Sequence, residues 1–261
     1  MIGYALDVSH HQNPATLPWD RFAGHVDAVI VRACYGAELR DRHAVEHVRR
    51  ARAIGAKVGL YIFFRHIHSV QKQLDVLRSV ADAVDLREGD IVPAIDIEHD
   101  PLPKPGSDVR PGWAPAARAL TERVVELYGD AMVYITQREF GMLGSPPWVL
   151  DRPIWCAHYT AAAKPASPGG KQPVIWQHRV APFVPNGPGG YDKARPELDQ
   201  NRILGELPLI GRPPSHSYLL VETRDDHDDD EWDELRDRVA VQQFDYWDLM
   251  RETPPSEEPS A

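Results

Sequence analysis

Cysteine is scarce: the 261 residues hold two, Cys34 and Cys156. Both lie in apolar strand-like segments, which favours buried thiols over a disulfide framework. No apolar run approaches the roughly 18 residues that suggest a membrane span. The opening MIGYALDVSHHQ has neither the basic stretch nor the apolar core of a secretory signal. Cytoplasmic synthesis, with release to a later site of action, is therefore the expectation. Excess positive charge is also lacking. The net charge is −10, so no basic surface marks a nucleic-acid partner. That average hides an asymmetry. Residues 1–205 carry 24 Lys and Arg against 23 Asp and Glu, and residues 206–261 carry 5 against 16.

What is present is alternation. Strand-like runs occur at YALDV, AVIVRACYG, KVGLYIFF, IVPAIDIE, AMVYIT, PIWCAHY and PVIWQH. Up to about residue 140 helical patterns separate them. In SVQKQLDVLRSVADAV the apolar Val70, Leu74, Leu77, Ala81 and Val84 recur at helical spacing. In APAARALTERVVELYG, Leu120, Val124 and Leu127 recur, and Gly129 supplies a stop. Strands alternating with helices imply βαβ units and a parallel sheet. After Trp148, Pro/Gly-rich loops replace the helices. The reading is an α/β fold, five βα units followed by strands with little helix between them. PPSHS at 213–217 reads as a boundary between a body, residues 1–212, and an acidic extension, residues 213–261. The last ten residues read as disordered.

The run IVPAIDIEHD raises the chemical question. It ends an apolar strand in two carboxylates, Asp96 and Glu98, which alternate-residue geometry places on one face. Paired carboxylates are costly unless one holds a proton, and such pairs cluster where acid–base chemistry is done. In parallel α/β barrels the active site lies at the C-terminal strand ends. Collecting polar residues there brings Asp7, Asp96, Glu98, Gln177 and Asp199 together, with Tyr61, Tyr134, Trp155 and Tyr159 as an aromatic rim. Carboxylates suit a glycosidic bond, and aromatic faces suit sugar rings. The paired His10 and His11 make a poor chelate, because neighbours on an extended segment point apart.

ALDVSHHQ, VIVRACYG, GLYIFF, AIDIE, VYIT, IWCAHY, IWQH and LDQNRI, taken in order over residues 3–204, resemble the strand motifs of family 25 glycoside hydrolases, the Chalaropsis-type lysozymes. The resemblance implies an irregular, TIM-like (β/α)5β3 barrel that needs no cofactor and no metal. It also implies hydrolysis of the β-1,4 bond between N-acetylmuramic acid and N-acetylglucosamine in bacterial peptidoglycan. By position Glu98 matches the general acid and Asp96 its partner carboxylate, and Asp7 and Asp199 match the pair that line the pit. One departure is Ile62, where the family often has a histidine on the substrate side.

Two carboxyls two residues apart on one strand do not by themselves decide stereochemistry, since rotamers move them either way. A covalent intermediate and substrate assistance both stay open. Projection from one side favours assistance, with Asp96 orienting a 2-acetamido group and Glu98 protonating the leaving oxygen. The natural setting is a phage or prophage endolysin. Rival readings are a metal-dependent polysaccharide deacetylase using His10 or His11, and a non-catalytic wall-binding or virion protein. The extension, with Trp232, Leu235, Val239, Phe244 and Trp247 at helical spacing, is expected to dock or to drive self-association. Truncation after Arg212 should retain turnover of soluble glycan fragments while changing stability, self-association or wall affinity. Loss of that turnover in a folded truncated protein would place the extension in the active site.

Overall fold

The runs rich in β-branched and aromatic residues become strands. In chain order the elements are β1 (Gly3–Val8), α1 (Trp19–Phe22), β2 (Ala28–Tyr35), β3 (Leu39–Arg40), α2 (Ala44–Ala53), β4 (Lys57–Phe63) and α3 (Val70–Ala83). They continue with β5 (Ala94–Asp96), α4 (Trp113–Tyr128), β6 (Met132–Tyr134), α5 (Gln137–Met142), α6 (Pro147–Leu150), β7 (Ile154–Ala157), β8 (Ile175–Ala181) and β9 (Leu198–Ile203). The structure is a computed structural model that describes residues 3–98, 113–181 and 198–211. The chain divides into two units, Met1–Gly211 and Arg212–Ala261. The boundary motif PPSHS, the acidic extension and its expected disordered end lie outside the described residues.

Strands β1, β2, β4, β5, β6, β7 and β8 pair in parallel, each with the next. β9 then enters between β8 and β1, antiparallel to both, and closes an eight-stranded barrel. β3 only extends the edge of β2 as a hairpin. This is the irregular barrel expected, with one refinement. Asp199 sits at the start of its strand, not at its end, since β9 runs against the others. The reversed direction brings that start to the same rim as the ends of the parallel strands.

The helices form where the periodicity placed them. α3 is capped by the Ser69 hydroxyl, which accepts from the Lys72 amide, and it buries Leu74, Leu77, Val80 and Ala81. α4 buries Trp113, Ala117, Leu120 and Val124. It ends at Gly129, whose φ of 83° suits a residue without a Cβ. The strand read through IVPAIDIE is shorter than its apolar run. Pro93 has no amide proton to give a ladder, so β5 begins only at Ala94.

Ile62 is fully buried in the hydrophobic core, while its neighbours Tyr61 and Phe63 line the opening of the barrel. The departure from the family pattern there costs no substrate contact. Cys34 and Cys156 are free and buried. Burial pushes both thiols up to about 12. Among the described residues no helix is long and apolar enough to cross a membrane.

Loops at the rim are pinned by buried polar side chains. Gln73 on α3 accepts from the Arg65 amide at 2.9 Å and donates to the Arg65 and His68 carbonyls. The His68 ring in turn accepts from the Ala37 amide at 3.0 Å, tying the β2–β3 turn to the loop after β4. Gly36 in that turn has φ of 57°, and a Cβ there would collide with the His68 ring. Gly36→Ala should therefore cost about 2 kcal/mol or more, from left-handed strain plus the displaced ring. Urea denaturation reads this, and an unchanged midpoint would show that the rim is not tied through His68.

Candidate active site

Inward-facing positions near the open rim collect the polar residues of the barrel. A pit of about 310 Å³ is lined by Asp7, Arg32, Tyr61, Phe63, Asp96 and Glu98 on one side, and by Tyr134, Trp155, Tyr159, Gln177 and Asp199 on the other. Ser9, His11 and Gln12 complete it. All nine site residues expected from the sequence are present. A larger cavity, about 580 Å³, lies at the opposite end by Gly3, Lys164, Gln172 and Ile203, and among the described residues no carboxylate lines it.

Strand register explains the gathering. Asp7 on β1 lies opposite Asp199 on β9. Asp96 on β5 lies beside Phe63 on β4 and Tyr134 on β6, and Tyr134 lies beside Trp155 on β7. Gln177 on β8 lies opposite Asn201. One polar layer therefore runs around the barrel.

That layer is wired by hydrogen bonds. Oδ2 of Asp7 accepts from Gln177 Nε2 at 3.0 Å and from Asn201 Nδ2 at 2.8 Å. Oε1 of Gln177 accepts from the hydroxyls of Tyr134 at 2.8 Å and Tyr159 at 2.7 Å. Asn201 Oδ1 accepts from the Trp155 indole at 2.7 Å. Tyr61 and Tyr134 also meet Trp155 edge-on. Tyr61, Tyr134 and Trp155 are buried, and Tyr159 is 56% exposed at the rim.

The electrostatics are those of a proton-rich pit. Burial, then the negative charge of Asp199, push the Asp7 carboxyl up to about 8, against the opposing pull of its two amide partners. Burial and the charge of Glu98 raise Asp96 well above the usual carboxylate range. Glu98 is raised too, chiefly by burial. Asp199 is raised by burial. The Asp96 and Glu98 carboxyls are hydrogen-bonded to each other, and Glu98 also meets the Tyr134 hydroxyl. Oδ1 of Asp96 is buried with no hydrogen-bond partner. Such an atom costs free energy until something donates to it.

Beyond the nine, Ser9, His11, Gln12, Arg32 and Phe63 line the pit and Asn201 bonds Asp7, and the sequence reading had none of these in the site. Arg32 was hidden inside an apolar run, AVIVRACYG, and was the one charged residue in it. Asn201 could have been found by the alternation that picked Asp199, since the two share a face. The His10–His11 pair also departs from expectation. The rings approach each other, tilted by 40° with centroids 3.9 Å apart, because Ser9–Gln12 is a turn and not an extended segment. Among the described residues no three His, Cys, Asp or Glu side chains stand where they could hold one metal ion.

Comparison with known proteins bears on the same region. The model of the glycosyl hydrolases family 25 matches residues 6–186. No curated protein matches. Among solved structures, a family 25 glycosyl hydrolase from Bacillus anthracis is 16% identical with a TM-score of 0.63, covering 78% of this chain and 89% of its own. The bacterial lysozyme from Streptomyces coelicolor is 22% identical with a TM-score of 0.62, covering 78% and 92%. The catalytic domain of an endolysin from a bacteriophage of Listeria monocytogenes is 18% identical with a TM-score of 0.58, covering 78% and 93%. These structures share the fold.

The raised Asp7 carboxyl carries a stability consequence. A group whose folded pKa of about 8 exceeds its unfolded value contributes stability that is complete below about pH 4 and is lost as pH rises towards 8. Asp7→Asn keeps the shape and the acceptor oxygen and removes that proton linkage. Its melting temperature should exceed that of the parent at pH 8 by several degrees and vary less between pH 5 and 8. Parallel melting curves for the two proteins would refute a protonated Asp7.

Proposed function

The chain belongs to family 25 of the glycosyl hydrolases, and on that premise we propose that it is a peptidoglycan muramidase with Glu98 as general acid and Asp96 as the assisting carboxylate. The bond cleaved is the β-1,4 link between N-acetylmuramic acid and N-acetylglucosamine. The observation that carries the reading is the buried, unpartnered Oδ1 of Asp96, beside a carboxyl that shares a hydrogen bond with it. An acetamide N–H supplies the donor that this oxygen lacks. Accepting it turns the acetamide oxygen towards the anomeric carbon.

The steps follow from the charges. A donor arriving at Asp96 favours its ionised form, so the proton shared by the pair settles on Glu98. The Tyr134 hydroxyl gives its own proton to Gln177, and can therefore accept one from Glu98. As the C1–O bond breaks, Glu98 protonates the departing oxygen and the acetamide oxygen bonds to C1. The resulting oxazolinium ring carries a positive charge that Asp96 stabilises. Glu98, now a carboxylate, takes a proton from a water that attacks C1 on the vacated face. The ring reopens, and the configuration at C1 is retained. Substrate assistance of this kind is an exception to the two-carboxylate scheme.

Asp7, Asp199, Tyr61, Tyr134, Trp155 and Gln177 shape the pit for the sugar, and the exposed Tyr159 ring offers a stacking face at its mouth. The setting that fits is an endolysin made in the cytoplasm that meets the wall after release, with the acidic extension tuning wall affinity or self-association. No arrangement of donors in the described residues favours the deacetylase reading.

Digestion of purified peptidoglycan, reduction and mass spectrometry of the products tests the bond. New ends of reduced muramic acid are expected, and reduced glucosamine would exclude a muramidase. Glu98→Gln should lower turnover by about 10²–10⁴ or more with the fold intact. A folded Glu98→Gln protein within tenfold of the parent would remove Glu98 as the acid.

A further inference from the structure

One cation stands among the carboxylates. Among the described residues that line the pit Arg32 is the sole Lys or Arg, and it is 8% exposed. β2 sets it beside Tyr61 of β4, one strand from Asp96 on β5. A buried arginine is expensive, and the chain spends further polar groups to fix this one. Its Nε donates to Oδ2 of Asp41 at 3.2 Å, and its Nη2 bonds Nδ1 of His10. Asp41 has no exposed side-chain surface. Its Oδ2 also accepts from the His10 amide at 2.7 Å, and its Oδ1 accepts from the His43 amide at 2.9 Å. The guanidinium is thus anchored from outside the pit while its charge faces inward.

We propose that Arg32, anchored by Asp41 and His10, is a positioning residue whose charge favours ionisation of Asp96 once a substrate donor reaches it, so that the shared proton passes to Glu98. The inference rests on the muramidase roles assigned to those two carboxyls. Asp41 after β3 bonds the guanidinium directly, and the pit that Arg32 lines also holds Asp7 on β1, Tyr61 on β4, and Asp96 and Glu98 at the end of β5. Its own strand adds Cys34. The turn after β1 adds His10 and His11, and His10 must be neutral to accept from Nη2. Among these groups Asp96 is the carboxyl whose raised ionisation the Arg32 charge opposes, whereas Glu98 answers mainly to burial, Asp96 and Glu139. Removal of the charge therefore acts unequally on the two.

The test is the pH dependence of kcat on a soluble glycan fragment, which reports the groups of the bound complex. The acidic limb reports the protonation of Asp96, and the alkaline limb reports the loss of the proton from Glu98. Arg32→Gln should move the acidic limb upward by about one pH unit, roughly a tenfold loss on the acid side, and should move the alkaline limb less. Arg32→Lys, which restores a charge, should return the limb towards the parent position. Should Arg32→Gln fail to fold, Arg32→Met fills the same space without an amide to satisfy and reads the same limb. An unmoved acidic limb in a folded variant, or equal movement of both limbs, overturns the proposal. Glu98→Gln measured alongside separates the two levels. An inactive Glu98→Gln with an unmoved limb removes the Arg32 role alone, and an active Glu98→Gln removes the assignment on which it rests.

Discussion

The oxygen Oδ2 of Asp7 holds the site together. By accepting from Gln177 and Asn201 at once, it ties β1 to β8 and β9. Gln177 then carries the order outward to Tyr134 on β6 and to Tyr159 beyond β7. Asn201 carries it to Trp155 on β7. A single buried carboxyl thereby fixes rotamers on most of the strands around the pit. Precision of this kind costs stability, because the same burial that makes the bonds strong makes charge unwelcome.

The pit thus resolves a conflict between folding and chemistry. Four carboxyls in one buried layer repel one another when ionised, and each is raised. For folding the simple remedy is protonation. For hydrolysis that remedy is useful only if the protons sit on the correct oxygens. The network sorts them: Asp7 is surrounded by amide donors, Glu98 faces a hydroxyl that can accept, and Asp96 keeps one oxygen without a donor. Stability is sacrificed at Asp96 Oδ1, which is buried without a donor.

Most of this layer was legible in the sequence. Period-two alternation and the rule that sites lie at strand ends found the carboxylates, the aromatic residues and Gln177. The helical spacing found α3 and α4 with their buried faces. What alternation could not give was direction. Asp199 was expected at its strand's end, and only the ladder with β1 and β8 shows that it opens a strand running against the others. Arg32 was missed for a related reason. A charge inside an apolar run looks like a surface residue or an anomaly until its anchor is known, and Asp41 sits nine residues away across a hairpin. The close approach of the tilted His10 and His11 rings was hidden because a tight turn breaks the alternation that the extended-chain argument assumed.

The antiparallel closing strand has a consequence for the order in which the protein is assembled. β9 supplies Asp199 and Asn201, and the bond from Asn201 to Asp7 spans 194 residues. Contacts of such long sequence separation form late and slowly. During synthesis the first strand waits, unpaired on one edge, until nearly the whole barrel has been made. A fragment that stops short of β9 lacks the Asn201 donor that helps to hold Asp7 and leaves β1 without its partner on that edge.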